Sequence, residues 1–279
     1  MSSEHAVIHH NGSGWELRDL GSKNGTFVGK KRIPPGVRLA LSRGVEFAIG
    51  GRDMRFVLVD AIPPVASARH VHTGDVRLSS NGLLVLPDDE HPAVTVFERY
   101  DDGRWLAEWP DKVHEVADRE VIIVDGAGWR LELPALSAAT LDTTRIGPTL
   151  ETIALRFVVS RDEEHVELFM VHEGNDIRVP SRTYHYLLLT LARARLADRS
   201  GPGEDRGWVD RETLCGMLSI DANKLNVDIF RARGQFGSLG VHGAAGLVLR
   251  RPDTGKLRLG IDRVRVVPLG SRGAPPADE

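Results

Sequence analysis

Short apolar runs separated by turn-forming residues fill the chain up to about residue 140. Runs such as WELRDL, MRFVLVD, AVTVFERY and RWLAEW place apolar side chains at alternate positions, and Gly, Pro, Asn or Asp follows each of them. Alternation with a period of two, interrupted by turn residues roughly every ten positions, is typical of an all-β sandwich or barrel. A long helix does not fit between these turns. The sequence therefore predicts an all-β region for this part of the chain.

The pattern changes after a polar segment at 135–152, which we expect to be a linker. Two strand-like runs, ALRFVVSR and HVELFMVH, and the short run IRV lead into the segment RTYHYLLLTLARARLADR, whose apolar residues have helical spacing. Asp210 and Asp221 are placed to cap two further helices, and a hairpin around PDTG follows. The predicted apolar stripes are Tyr184, Leu187, Leu188, Leu191 and Leu196 in the first helix, and Leu225, Ile229, Ala232 and Phe236 in the third.

The β region contains a candidate internal repeat. Residues 43–58 align with residues 118–133, which pairs Phe47 with Ile122 and Gly51 with Gly126. The alternative is that any two hairpins look alike. Together these patterns predict a multidomain protein, an all-β sandwich region followed by an α+β domain, with segments at 1–60, 61–134, 135–152 (linker), 153–267 and 268–279 (disordered tail).

Composition limits the function classes. The 279 residues are 41% hydrophobic and carry a net charge of −3, and no stretch is long and apolar enough to cross a membrane. We therefore expect a cytoplasmic protein with no membrane partner. Residues 1–150 carry 17 Lys and Arg against 21 Asp and Glu, and residues 151–279 carry 19 against 18, so any nucleic-acid site must be local. The single cysteine, Cys215, lies in an apolar helical pattern and indicates a core residue.

The sequence shows no catalytic constellation. Histidines occur at His70 and His72 and at His9 and His10, but no HExxH, CxxC, Walker or GxSxG pattern accompanies them. We therefore expect no enzymatic activity, no metal site and no cofactor.

The segment GSKNG at 21–25 offers chemistry beyond a turn. Two glycines and an asparagine suit left-handed backbone, which a structural turn would explain. Ser22, Lys23 and Thr26 are not required by such a turn. A hydroxyl, an ammonium and a carboxamide on one rigid loop are suited to an anion beside a peptide backbone.

Residues 2–60 resemble the second part of a forkhead-associated (FHA) domain, the β sandwich that binds phosphothreonine. The family pattern Ser-x-x-His, Asp-Leu-Gly-Ser-x-Asn-Gly-Thr and basic-Ile is matched by Ser2 and His5, by Asp19 through Thr26, and by Arg32-Ile33. The resemblance implies that Ser2 and Ser22 or Lys23 contact phosphate and that Asn24 binds the peptide main chain. It also implies that His5, Gly25 and Thr26 shape the loops.

Two departures from the family pattern weaken the expected affinity. The family's Gly-Arg pair, whose Arg binds phosphate, has no counterpart here, and Ser3 stands where a basic residue is usual. A lost guanidinium removes charge-assisted hydrogen bonds of about 2–3 kcal/mol each. The sequence uses 30 Arg and 6 Lys, which is typical of a GC-rich bacterial genome. We therefore expect the true start to lie upstream of Met1, and we expect that an internal GTG valine codon at the position of Met1 was taken as the start.

Residues 153–262 resemble the winged helix-turn-helix domain of OmpR/PhoB-type response regulators, with DIFRARGQF at 228–236 as the recognition helix. Nine basic residues against four acidic ones between 221 and 266 indicate a local phosphate footprint. The candidate DNA contacts are Lys224, Arg231, Gln235, Arg250, Arg251 and Lys256. The alternative is a solvated helix face in a domain that contacts only protein.

These observations predict a bacterial signalling protein. Its expected partner is a phosphothreonine-containing protein, with a Ser/Thr kinase or a kinase substrate as candidates, and its output is DNA binding or a regulatory contact. The rival hypothesis is an adaptor in Ser/Thr kinase signalling that never binds double-stranded DNA.

Overall fold

The computed structural model describes residues 4–11, 13–134, 147–198 and 205–270. Ser2, most of the predicted linker and the end of the predicted tail lie outside these residues. The described chain divides into two compact units, one of residues 4–65 together with residue 134, and one of residues 66–133 and 147–270. Most residues of the predicted segments 61–134 and 153–267 thus belong to the same compact unit. No helix in the described part of the chain is both long and apolar enough to cross a membrane.

The first unit is a small β sandwich. Its sheets have the strand orders β1-β2-β5 and β4-β3-β6-β7. Apolar side chains from both sheets, among them Leu17, Leu41 and Phe47, form its core. The strands are β1 (Ala6–His10), β2 (Trp15–Asp19), β3 (Thr26–Val28), β4 (Lys31–Arg32), β5 (Arg38–Leu41), β6 (Glu46–Ile49) and β7 (Arg55–Val57).

The second unit begins with another sandwich, whose sheets have the orders β10-β11-β12-β13 and β14-β15-β8-β9. Leu84, Val96, Ile122 and Leu131 belong to the core between these sheets. We call residues 66–133 the second β module. Its strands are β8 (Ser67–His70), β9 (Val76–Leu78), β10 (Leu83–Pro87), β11 (Pro92–Glu98), β12 (Trp105–Glu108), β13 (Val113–Glu115), β14 (Val121–Val124) and β15 (Ala127–Glu132).

The proposed repeat predicts the positions of its strands correctly, but it does not predict their pairing. Strands β14 and β15 fall where β6 and β7 predict them. Phe47 lies opposite Phe56, yet Ile122 lies opposite Trp129 rather than Leu131. The loop at 50–54 is replaced by the tight turn at 125–126, and the shorter connection changes the register by two residues.

The rest of the second unit has the predicted order of strands, helices and hairpin. Asp210 and Asp221 cap the second and third helices through backbone N–H groups, as expected. The third helix buries its predicted stripe. In the first helix, Leu196 is 48% exposed because it lies about 140° around the helix from Leu191, so its assignment to the stripe was wrong. The elements are β16 (Ala154–Val159), β17 (Val166–His172), β18 (Asn175–Val179), α1 (His185–Ala197), α2 (Arg211–Leu218), α3 (Ala222–Ser238), β19 (Val248–Arg250), β20 (Leu257–Leu259) and β21 (Val264–Pro268).

The second β module packs directly on α3. Strand β10 is apolar on both faces, so Leu84 and Leu86 enter the sandwich core while Leu83 and Val85 join a cluster with Ala245 and Phe230. A continuous apolar run of this kind is typical of a strand buried on both sides. The face of α3 that carries Phe230 and Arg233 is therefore covered by protein.

Candidate functional site

A buried carboxylate organises the loop at 21–25. Asp19 is 1% exposed and ends β2. Its side chain accepts hydrogen bonds from the Ser22 hydroxyl at 2.5 Å and the Thr26 hydroxyl at 2.6 Å. It also accepts from the backbone N–H groups of Gly21 and Ser22, both at 2.9 Å. Four donors on one carboxylate hold the loop in a single conformation.

The same contacts keep Asp19 ionised. Burial alone would raise the pKa of this carboxyl, but the hydrogen bonds from Ser22 and Thr26 and from the backbone together lower the pKa to about 2. A carboxylate that accepts several hydrogen bonds is stabilised in its charged form. The loop is therefore held by charge-assisted bonds across the neutral and mildly acidic pH range.

The two hydroxyls of the motif point into this network. Ser22 is buried, and its hydroxyl also accepts a hydrogen bond from the Gly25 N–H at 3.1 Å. Thr26 is fully buried. The expectation that the Ser22 hydroxyl contacts phosphate does not fit this placement, because both its donor and an acceptor position are occupied by the protein. Ser22 and Thr26 thus stabilise the loop through their hydrogen bonds to Asp19.

Lys23 and Asn24 are the exposed side chains at the tip of the loop. Among the described residues, no hydrogen bond or ion pair engages either side chain. An ammonium and a carboxamide on a fixed turn are thus available to a ligand, and the binding roles of both residues stay predictions.

His5 ties the loop to its neighbours. Its Nε2 atom lies 3.0 Å from the Gly25 carbonyl oxygen and 3.1 Å from the Gly50 nitrogen. The Gly50 N–H also donates to the Gly25 carbonyl at 3.2 Å. Gly25 has a φ of +79°, which other residues rarely adopt. His5 and Gly25 therefore join the loop to the end of β6.

Arg32 contacts the loop, although the sequence had given no role to it. Its Nη2 atom donates to the Ser22 carbonyl at 3.3 Å. A Cβ built on Gly25 would lie 2.4 Å from the Arg32 Nε atom, so the guanidinium rests against the glycine backbone. The signal was the basic-Ile match at Arg32-Ile33. It became informative only with the β3–β4 register, which places Arg32 opposite Phe27.

Residues 1–50 match the FHA domain. The match contains His5, Asp19 and the whole loop at 21–25, and it supports the resemblance over this segment. Comparison with curated proteins gives no match to this chain, and comparison with solved structures gives none either.

The candidate DNA contacts belong to the second unit. Arg250 is buried, its Nε atom lies 3.3 Å from a Glu108 carboxylate oxygen, and its guanidinium also donates to the Pro110 carbonyl. Gln235 donates to the Pro180 carbonyl at 2.7 Å and lies 3.0 Å from a His185 ring nitrogen. The predicted contact of Arg250 with DNA does not fit this placement, because its guanidinium is enclosed by protein.

The other candidates differ in availability. Lys224 pairs with Asp228 within α3. Arg251 lies 3.2 Å from an Asp205 carboxylate oxygen and over the Trp208 ring. Arg231 is exposed and Lys256 is half-buried. Much of the positive charge counted along 221–266 is therefore balanced within the protein, which the count itself could not indicate.

Groups of three or more potential metal ligands do not occur among the described residues. The rings of His70 and His72 pack edge to face, with their centroids 6.1 Å apart.

Proposed function

We propose that this protein is a phosphothreonine-dependent docking protein, with the loop at 21–25 as its ligand site. FHA domains bind phosphothreonine-containing proteins, and the match covers the segment that carries this loop. The observation that supports the assignment is that Lys23 and Asn24 are exposed on a turn fixed by buried Asp19. Lys23 supplies charge to the phosphate, and Asn24 supplies hydrogen bonds to the peptide main chain.

The proposed output is a protein contact in Ser/Thr kinase signalling. This choice is favoured over DNA binding because Arg250 is paired with Glu108 and Gln235 bonds to His185 and Pro180. A DNA-binding surface needs several cations free to meet phosphates. The partner we propose is a kinase or a kinase substrate that carries phosphothreonine.

Peptide binding tests the site. The full chain is titrated with a phosphothreonine peptide and with the same peptide unphosphorylated, by calorimetry or fluorescence anisotropy. We expect binding of the phosphorylated form only, and loss of that binding in Asn24→Ala and Lys23→Ala. Lys30→Ala is the control, because Lys30 is an exposed cation in the turn at the other end of β3. Equal binding by wild type and Asn24→Ala would refute the site assignment.

A gel shift tests the output. The full chain is mixed with random duplex DNA over a range of salt concentrations. The adaptor hypothesis predicts no shift at physiological salt. A shift that weakens steeply with salt would favour the DNA-binding alternative instead.

A further inference from the structure

Several arginines lie on one face of the first unit, beside the loop at 21–25. Strand pairing places Arg32 opposite Phe27, Phe27 opposite Ala48, and Ala48 opposite Arg55. Directly opposite residues in an antiparallel sheet point to the same face. Because Phe47, the neighbour of Ala48, lies in the core, this row lies on the outer face.

Arg52 completes this set from the turn after β6. Its guanidinium carbon lies 5.5 Å from the centre of the Phe27 ring. Its carbonyl accepts a hydrogen bond from the Arg55 Nε atom at 3.2 Å. We call Arg32, Arg52 and Arg55 the arginine surface.

The arginine surface adjoins the ligand loop. Gly50 begins the turn that carries Arg52, and its N–H donates to the Gly25 carbonyl. Arg32 donates to the carbonyl of Ser22 within the loop. A peptide lying across Lys23 and Asn24 would therefore extend past these guanidinium groups.

These three cations lack ionic partners. In the described part of the chain, none of them forms an ion pair with a carboxylate, and all three are exposed. Asp53 is the one acidic residue in the turn at 50–54, and Asp19 is buried and saturated with donors. Two other exposed arginines, Arg104 and Arg193, are instead paired with glutamates. Unpaired guanidinium groups on a surface that adjoins a ligand loop are available to carboxylates of a partner.

We infer that the arginine surface binds acidic residues that flank the phosphothreonine in the ligand. The inference rests on the proposed function of the loop and adds a sequence preference to it. Arg32 is held against Gly25 and Arg52 over Phe27. Because both guanidinium groups are already positioned, they lose less freedom when they bind than a mobile side chain would.

Two phosphothreonine peptides of equal length test this preference. One carries Asp and Glu around the phosphothreonine, and the other carries Asn and Gln at the same positions. Both are titrated into the full chain, into the triple variant R32Q/R52Q/R55Q and into the control Arg43→Gln. Arg43 is an exposed arginine in the turn that precedes β6, at the end of the strand opposite to the turn that carries Arg52. The single variant Arg52→Gln is measured beside them, and circular dichroism verifies that each variant is folded.

We expect wild type and Arg43→Gln to bind the acidic peptide about tenfold more tightly, the size of about two exposed ion pairs, and to lose most of this difference at high salt. The triple variant should bind both peptides alike, and Arg52→Gln should fall between. Equal binding of both peptides by wild type, or a preference that survives the triple substitution, would overturn this inference and leave the phosphothreonine site intact. Binding of neither peptide would overturn the proposed function as well.

Discussion

Glu108 of β12 and Arg233 of α3 form a buried ion pair, with 2.9 Å between the carboxylate oxygen and the guanidinium nitrogen. Arg233 is 1% exposed, and Arg250 approaches the other Glu108 oxygen at 3.3 Å. Burial alone would raise the pKa of Glu108, but attraction to Arg233 and Arg250 and hydrogen bonds from both hold it below its ordinary value. One carboxylate thus fixes α3 and the β19–β20 hairpin to the second β module.

Replacing Glu108 with Gln should destabilise the second unit strongly. The substitution keeps the shape of the side chain but leaves two buried guanidinium groups without a counterion. Breaking a buried ion pair by removing one partner costs about 3–5 kcal/mol. Urea unfolding monitored by circular dichroism measures this cost.

Glu115→Gln is the matched control for Glu108→Gln. Its partner Arg104 lies 3.1 Å away, and both side chains are more than half exposed. A surface pair of this kind contributes about 0–1 kcal/mol. If Glu108→Gln unfolds at the same urea concentration as Glu115→Gln, the buried pair does not hold the unit together.

The Asp19 network should make the first unit sensitive to acid. The pKa of Asp19 is about 2 in the folded protein, below the value of an unfolded aspartate. A depressed pKa contributes stability that is present above about pH 4 and is lost as the pH falls toward 2, about 2 kcal/mol in total. Hydrogen exchange of the segment at 15–28, measured across this range, should show protection that declines with falling pH.

Asp19→Asn separates this carboxylate from the other acidic groups. The variant should show weaker protection of the same segment at neutral pH and a smaller further decline between pH 4 and 2. A variant whose protection and pH profile match those of the wild type would contradict the assigned role of Asp19.

Local features of this chain were predictable, and long-range ones were not. The helix caps Asp210 and Asp221 act within three residues, so sequence spacing alone located them. The motif at 19–26 located the loop, but it did not indicate that the Ser22 hydroxyl points at Asp19. Glu108 and Arg233 are 125 residues apart, and no local pattern indicates that they meet.

The same distinction explains the candidate DNA contacts. The spacing of Lys224, Arg231 and Gln235 correctly kept them off the buried stripe of α3, since none of them is fully buried. It could not reveal that a second β module covers an adjacent face of that helix, because the module lies about a hundred residues earlier in the chain. For the same reason, the sequence could not indicate that Arg250 is buried against Glu108 of this module.

Ile229→Ala should destabilise the second unit through its core. Ile229 is almost completely buried among the apolar residues of the helical part. Truncating a buried isoleucine leaves a cavity and costs about 2–5 kcal/mol. Met217→Ala on α2 is the control, because Met217 is 63% exposed and a surface change is worth about 0.5 kcal/mol or less. Similar urea midpoints for the two variants would show that α3 does not bury this stripe.

Arg231→Ala and Arg250→Ala separate ligand binding from folding on the second unit. Arg231 is exposed, so its loss should change the free energy of unfolding by about 0.5 kcal/mol or less. Arg250 is buried against Glu108, so its loss should cost about 3–5 kcal/mol.

The adaptor hypothesis predicts that neither Arg231→Ala nor the double variant Lys224→Ala/Arg231→Ala changes retention on random duplex DNA at any salt concentration. The DNA-binding alternative predicts a lower affinity for the double variant and a salt dependence reduced by about one unit per lost phosphate contact. Because Lys224 is paired with Asp228, we expect Arg231 to account for nearly all of any such effect. If the double variant stays folded yet loses salt-dependent DNA binding, the result would contradict the adaptor hypothesis and support DNA binding as the output of this protein.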